Sequence, residues 1–347
     1  MFHSCGVPSK MARETRKPNV QDILRLDAIA ENLKVKTRFE DSTFAADVKA
    51  ACLARVAPVL KKLLPCTGEE IALGLGESLC LKFEEVHGPH DVVKLEDHYL
   101  KGKKEIGFAQ LRDELETPGV DALLFQRMHA KAGDPDTWVA VLNLQESGSK
   151  AYWNRFHELS HRIAEPPQKI LPLRRHQFEA SNPVEALMDS VAAEMAFYEP
   201  VFRPLVADYA RTNRLSFEVI DQIRQRYAPT ASLFSTMKAI VKYWPRAAAS
   251  LTAEFRGRLS SPGVDPALRV TSQGHNYYAN LKGLTFFPNM RAPLGSPVHQ
   301  AFVSGEMQNA VENLGNWETS SGKSLAPITV FTSACLINGR VYAVLST

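Results

Sequence analysis

The chain has 347 residues, of which 45% are hydrophobic and 23% are charged, and its formal net charge at pH 7 is +3. This composition is ordinary for a globular protein, and the length is sufficient for two or three domains with a sizeable core. So small a positive charge neither demands nor excludes nucleic acid as a partner.

The sequence predicts a cytoplasmic protein with no membrane partner. Residues 1–20 contain no continuous apolar run of the kind found in a secretory signal, and no stretch of about 18 apolar residues marks a membrane span. The cysteines are odd in number, widely spaced and free of any CxxC motif, which favours free thiols in a reducing compartment. They are Cys5, Cys52, Cys66, Cys80 and Cys335.

The first part of the chain is predicted to contain helices followed by a small mixed sheet. Residues 1–20 are expected to be a solvated tail. Apolar residues then recur at intervals of three and four, which is typical of amphipathic helices, and these helices contain no evident catalytic residue. The predicted elements are helices from Val20 to about Leu64, a helix from Glu69 to about Leu75, a strand over 79–86, a helix over 108–116, and strands over 120–128 and 138–142.

The motif that points most directly to chemistry is H-E-x-x-H, formed by His157, Glu158 and His161. A helix is predicted from about Ser149 to Ile163. Positions i and i+4 share one helix face, so both histidines are placed to bind one metal ion. Glu158 lies about 100° around the helix from His157, where it can activate a water molecule without being a ligand. The alternative is a pair of ordinary histidines on a structural helix.

A catalytic zinc site requires a third protein ligand from another element. Asn182 is predicted to cap a second helix, on which Glu185 and Asp189 share a face. Glu185 is the predicted ligand, and Asp189 is predicted to accept the spare N–H of a ligand histidine. The alternative for Glu185 is a capping box, since it follows the cap by three residues. Glu179 and Glu194 are reserve ligands.

Several basic residues lie between the two metal helices. Arg174, Arg175 and His176 occur in a predicted loop over 166–181, either as a basic rim for an acidic substrate or as ordinary surface charges. Residues 215–227 and 233–242 are predicted to form two helices around a tight turn, similar to a helix-turn-helix.

The last part of the chain is predicted to be a separate α+β regulatory domain. Two strand patterns near the C-terminus are joined by Asn338 and Gly339, a pair that strongly favours a hairpin. Aromatic and basic residues alternate earlier in this region and could either stack on bases of a single strand or pack in the core. The candidate contact residues for nucleic acid or another ligand are Tyr277, Tyr278, Lys282 and Arg291, with Phe286 and Phe287 between them.

The runs 151–161 and 182–194 together resemble the ImmA/IrrE family of bacterial zinc metallopeptidases. In that family the H-E-x-x-H helix is followed by a helix with a glutamate, an acidic or amide residue four positions later, and an F-A-A-E-like end. Glu185, Asp189 and the run from Val191 to Glu194 match this second motif. The order of elements is similar to the IrrE-type layout over about residues 67–347.

The resemblance implies an α+β protein with a zincin-like metallopeptidase domain and a GAF-like C-terminal domain. The implied divisions are an N-terminal tail with helices over 1–66, the peptidase domain over 67–205, a helix-turn-helix-like helical linker over 206–250 and the GAF-like sensor domain over 251–347. By the same resemblance, one Zn²⁺ is bound by His157, His161 and Glu185, and Glu158 is the general base.

The resemblance also implies a substrate and a signal. The expected substrate is a helix-turn-helix repressor, cleaved in response to DNA damage, stress or phage infection, and single-stranded DNA is a possible activator. In related phage-defence regulators a cysteine near the metal motif blocks the zinc. This chain has no cysteine between residues 81 and 334.

Two points stay open from the sequence. An electrophilic group that assists Glu158 is expected, and Tyr152, Arg175 and Tyr209 are candidates. The alternative function is a non-proteolytic, zinc-containing regulator that binds nucleic acid or a small-molecule signal. A dedicated protease of a toxin–antitoxin or phage system would share the chemistry and differ only in substrate.

Overall fold

The computed structural model describes residues 19–64, 66–131, 133–145, 150–166, 182–257, 266–319 and 321–347, and the backbone of 173–176. The chain divides into two compact units, Met1–Ala196 and Phe197–Thr347. Both units contain helices and strands, so the class is α+β. The four-part division predicted from the sequence is finer than these two units and stays a prediction.

The first unit combines helices with a mixed sheet. Its helices are α1 (Val20–Leu33), α2 (Phe44–Leu63), α3 (Gly68–Ser78), α4 (Pro89–Glu96), α5 (Leu111–Glu116), α6 (Ala151–Ala164) and α7 (Pro183–Ala196). Its strands are β1 (Leu81–Val86), β2 (Val120–Gln126), β3 (Trp138–Asn143) and β4 (Leu173–His176). The helices and strands predicted for this part of the chain are confirmed, with shifts of a few residues at their ends.

The sheet order in the first unit is β1-β3-β2-β4. Strands β1 and β3 are parallel, whereas β2 is antiparallel to both β3 and β4. Alternate residues of β2 and β3, such as Leu123 and Val141, join an apolar cluster with Tyr99 and Phe108 on one face. The other face receives α6, whose Asn154 donates a hydrogen bond from Nδ2 to the carbonyl of Asp121 at 3.1 Å.

Strand β4 corrects one prediction. Residues 166–181 were expected to form a loop, but Leu173–His176 pairs with β2 as an edge strand. A four-residue segment rich in arginine lacks the apolar alternation that identifies a strand from sequence, so its pairing with β2 decides its conformation.

The second unit is built on an antiparallel sheet. Its helices are α8 (Glu199–Thr212), α9 (Phe217–Tyr227), α10 (Leu233–Tyr243), α11 (Tyr277–Leu281) and α12 (Pro297–Ser304). Its strands are β5 (Ala248–Arg256), β6 (Ala267–His275), β7 (Gln308–Asn313), β8 (Thr329–Ile337) and β9 (Arg340–Ser346), in the order β6-β5-β9-β8-β7. The predicted helix pair is confirmed, and Ser216 caps α9 by accepting a hydrogen bond from the amide of Val219.

The predicted C-terminal hairpin is also confirmed. Asn338 and Gly339 have φ angles of 50° and 75°, and Ile337 pairs with Arg340, so the turn has only two residues. This is the type I′ geometry that an Asn-Gly pair favours. Strands β5, β6 and β7 were not predicted; β6 and β7 lie at the edges of the sheet and contain many polar residues. None of the helices in the described part of the chain is long and apolar enough to cross a membrane.

Candidate metal centre

Helix α6 positions the H-E-x-x-H motif. It ends at Ala164, and the next residue, Glu165, is extended because Pro166 follows and disfavours helical geometry before it. His157 and His161 lie on the same face of α6, with 1% and 3% of their surface exposed, and Glu158 is fully buried. The motif therefore faces the interior of the first unit.

Helix α7 supplies the third donor. Asn182 accepts a hydrogen bond from the amide of Val184 at 2.9 Å, which starts the helix and places Glu185 in its first turn. Glu185 Oε2 lies 3.0 Å from His157 Nε2 and 3.4 Å from His161 Nε2, and the two Nε2 atoms are 2.9 Å apart. The Glu185 carboxylate is thus directed at the two imidazoles, as the ligand hypothesis predicted.

These separations fit one tetrahedral metal ion. Ligands about 2.0–2.1 Å from a zinc ion at tetrahedral angles are about 3.3 Å from one another. Donor atoms of His157, His161 and Glu185 all lie within 4.8 Å of one another. Two imidazoles and one carboxylate are a common donor set of catalytic zinc, which leaves a fourth position for water or substrate.

A carboxylate contacts the Nδ1 atom of each imidazole and so fixes the orientation of the ring. His157 Nδ1 lies 2.8 Å from Asp189 Oδ1, and the same oxygen accepts a hydrogen bond from Trp153 Nε1 at 3.2 Å. His161 Nδ1 lies 2.8 Å from Glu165 Oε1. An imidazole that donates its Nδ1 proton to a carboxylate presents Nε2 to a metal, so both histidines are oriented for ligation.

Glu165 was missed by the sequence analysis. It follows His161 by four residues, the same spacing as the two histidines, and this was the available indication. Its side chain is only 3% exposed.

The charges of this cluster stabilise one another. Burial alone would lower the pKa of His161, but the negative charge of Glu185 and the hydrogen bond to Glu165 raise it well above its usual value. Burial would likewise raise the pKa of Glu185, but the positive charge of His161 and the hydrogen bond with His157 hold it well below its usual range. A metal ion bound here would take the place of the proton on His161, because imidazole ligates only when neutral.

Helix α1 also reaches this cluster. One guanidinium nitrogen of Arg25 (NH2) lies 2.6 Å from Glu165 Oε1 and 3.8 Å from Glu185 Oε1. No residue of this helix has a chemical function that was predicted from the sequence, and Arg25 occurs 140 residues before Glu165.

The candidate electrophile Tyr152 and the reserve ligand Glu194 both have partners other than the two histidines. Tyr152 is 1% exposed and donates its hydroxyl hydrogen bond to the carbonyl of Ala196, so the structure places it in the core rather than at a substrate. The reserve ligand Glu194 pairs with Lys49 at 3.7 Å. The other reserve ligand, Glu179, lies outside the described residues.

The remaining electrophilic candidates, Arg175 and Tyr209, stay predictions. The side chain of Arg175 lies outside the described part of the chain, as do those of Arg174 and His176. Tyr209 belongs to α8 of the second unit.

The predicted contact residues of the second unit divide between surface and core. Tyr277 and Tyr278 are 71% and 48% exposed on α11, and Lys282, which follows that helix, is exposed as well. Arg291 is exposed, whereas Phe286 belongs to the core. Contact of these exposed residues with nucleic acid or another ligand stays a prediction.

Comparisons with known proteins assign no family. No family model matches the sequence, and no curated protein matches it. A solved structure of a Mycobacterium tuberculosis transcriptional regulator is similar over 94% of this chain and 81% of that chain, with 10% sequence identity and a TM-score of 0.43. A likeness of this size assigns neither a fold family nor a function to the chain.

Proposed function

We propose that the chain is a zinc-dependent endopeptidase, with a zincin-like catalytic domain in the first unit and a GAF-like sensor domain in the second. The observation that carries the proposal is the arrangement of His157, His161 and Glu185, whose donor atoms lie at ligand separations with both histidines oriented by carboxylates. Zinc bound by these side chains would supply a Lewis acid for hydrolysis of a carbonyl compound.

Glu158 is the proposed general base. It follows His157 directly on α6 and is fully buried beside the ligands. Its carboxylate takes one proton from the attacking water as the water oxygen bonds to the carbonyl carbon. It then delivers that proton to the amine nitrogen as the C–N bond breaks, so the carboxylate is regenerated.

The substrate we propose is a helix-turn-helix repressor protein. This follows from the resemblance of the two metal helices to the ImmA/IrrE family. Cleavage would respond to DNA damage, stress or phage infection, and single-stranded DNA at the second unit is the proposed signal.

The burial of the metal ligands favours a second candidate function. His157, His161 and Glu185 are between 1% and 6% exposed, which also suits a zinc ion with a structural function in a non-proteolytic regulator. Structural zinc usually has four protein ligands, however, and the cluster found among the described residues has three.

The test compares wild type with Glu158→Gln on the helix-turn-helix repressor encoded beside its gene. Zinc is present, and single-stranded DNA is added or withheld. We expect Glu158→Gln to slow cleavage by about 10²–10⁴-fold while one zinc per chain is retained. Glu194→Gln, a change of a carboxylate that lies on α7 and pairs with Lys49, is the control and keeps the activity.

Two results would contradict this proposal, the first for the peptidase activity and the second for the function of Glu158. Absence of any cleavage by the wild type with one zinc bound supports the non-proteolytic regulator. Loss of zinc from Glu158→Gln would make Glu158 a structural residue instead of the base.

A further inference from the structure

Arg25 connects an N-terminal helix to the outer carboxylates of the metal centre. Its guanidinium lies 2.6 Å from Glu165 Oε1 and 3.8 Å from Glu185 Oε1. The side chains of these glutamates are 3% and 8% exposed, whereas that of Arg25 is 30% exposed. Arg25 therefore reaches inward from the surface to two carboxylates with little access to water.

One oxygen of Glu165 serves two partners. Glu165 Oε1 accepts the hydrogen bond from Arg25 at 2.6 Å and also contacts His161 Nδ1 at 2.8 Å. Glu165 follows the last residue of α6 in an extended conformation, so the helix itself does not fix its side chain. The charge-assisted hydrogen bond from the Arg25 guanidinium fixes the side chain of Glu165 instead.

We propose that Arg25 is a positioning residue of the metal centre. It holds the Glu165 carboxylate against His161, which keeps the imidazole in the orientation and tautomer that ligate the metal, and so strengthens zinc binding. This inference rests on the proposed function in that it takes the metal of this centre to be zinc.

A simpler function for Arg25 would be to dock α1 on the end of α6. Other residues provide such docking without touching a carboxylate of the metal centre. Asn32 Nδ2 donates to the carbonyl of Ala164 at 2.8 Å, and Arg55 of α2 links the two helices by donating to the carbonyls of Ile163 at 2.7 Å and Asn32 at 2.8 Å. Asn32 lies on α1 with Arg25, so Asn32→Ala is a matched control for docking.

The positive charge of Arg25 would, in contrast, weaken zinc binding. A guanidinium near the centre repels a divalent cation, and if repulsion dominated, removing Arg25 would tighten zinc binding. Positioning by Arg25 therefore predicts that Arg25→Ala weakens zinc binding, whereas repulsion predicts that it tightens zinc binding.

The experiment measures zinc affinity by competition with a chromophoric chelator, with circular dichroism to verify folding. We expect Arg25→Ala to weaken binding by about 10–100-fold, the usual effect of losing a residue that orients a ligand. Arg25→Lys, which keeps the charge and one donor, restores part of the affinity, and Asn32→Ala leaves it unchanged. In a Glu165→Ala background, Arg25→Ala causes no further loss, because Arg25 acts through Glu165.

Three outcomes would overturn the assignment. The first is that Arg25→Ala binds zinc as tightly as the wild type or more tightly. The second is that Asn32→Ala loses as much zinc affinity as Arg25→Ala does. The third is that Arg25→Ala lowers the zinc affinity further in the Glu165→Ala background. A wild-type protein that binds no zinc overturns both this inference and the proposed function. A wild-type protein that binds zinc but cleaves nothing overturns only the peptidase and leaves the affinity measurements decisive for Arg25.

Discussion

Two clusters of buried ionisable side chains among the described residues of the first unit differ in the chemistry of their cations. At the metal centre the carboxylates face the imidazoles of His157 and His161. The second cluster lies where β2 and β3 are connected. There Arg127 pairs with Asp136 and, at 3.3 Å, with Glu105, and Lys103 also pairs with Asp136.

The carboxylates of the second cluster are held by permanent donors. Glu105 accepts hydrogen bonds from the backbone amides of Met128 at 2.7 Å and His129 at 3.1 Å. A guanidinium or ammonium keeps its proton at neutral pH, whereas an imidazole can lose its proton and become a neutral ligand of a metal ion. Burial of charge alone thus does not point to a metal site, because a cationic partner must also be able to become a neutral ligand.

Arg127→Ala is expected to have the largest effect on stability. The substitution removes the guanidinium that pairs with the buried carboxylates of Asp136 and Glu105. It should therefore reduce the free energy of unfolding by about 3–5 kcal/mol. Urea unfolding measures this change. Arg112→Ala removes an arginine whose side chain is 50% exposed and which pairs with Glu96, so it should cost at most about 1 kcal/mol. If the two variants were equally stable, the second cluster would not stabilise the fold.

His161→Ala should abolish the stabilisation that zinc provides. At free zinc about 1,000 times above its dissociation constant, wild type should gain about 4.1 kcal/mol in unfolding free energy, and chelation should remove that gain. The variant should show no gain, because it lacks a ligand. His129→Ala, which changes the histidine 3.8 Å from Glu105, should keep the gain. Zinc-dependent stabilisation of His161→Ala would place the metal elsewhere.

Asp189→Ala should weaken zinc binding without abolishing it. The variant loses the acceptor that lies 2.8 Å from His157 Nδ1, and such losses reduce metal affinity by about 10–100-fold. A chelator competition measures the dissociation constant. Glu194→Ala on the same helix is the control and should bind zinc like the wild type. Equal affinities for Asp189→Ala and the wild type would show that Asp189 does not orient the ligand.

The smallest expected effect is a change in the acid sensitivity of the second cluster. Burial alone would raise the pKa of Asp136, but the hydrogen bond from Lys103 and the charge of Arg127 hold it below its ordinary value of 3.8. Its contribution to stability is therefore fully present above the unfolded-state pKa and is lost as the pH falls through the lower folded-state pKa.

Urea midpoints measured from about pH 5 to pH 2 test this expectation, because that window spans the pKa values of carboxyl groups. Asp136→Asn should lose less stability on acidification than the wild type does. Asp97→Asn, a change of a side chain that is 53% exposed, should follow the wild-type profile. If the urea midpoint of Asp136→Asn fell with pH as steeply as that of the wild type, the lowered pKa of Asp136 would be contradicted.

The local pattern of the sequence was sufficient for most helices of the first unit, for the pair α9 and α10, and for the helix faces that the candidate metal ligands share. The i, i+4 spacing placed His157 and His161 on one face, and the same spacing on α7 placed Glu185 beside Asp189. The Asn338-Gly339 turn was likewise predicted, because φ angles above zero restrict the residue types that form it. These features depend on residues a few positions apart.

By itself, then, the sequence determined which side chains share a helix face, where the predicted helices of the first unit and the pair α9 and α10 form, and where the C-terminal hairpin turns. The tertiary structure alone decided that Arg25 meets Glu165 across 140 residues, that Leu173–His176 is a strand, and that Tyr152 belongs to the core. The physical reason is that hydrophobic periodicity and capping act within one or two helical turns. Contacts between distant segments depend on how the elements pack, and no periodicity within a single element records that packing.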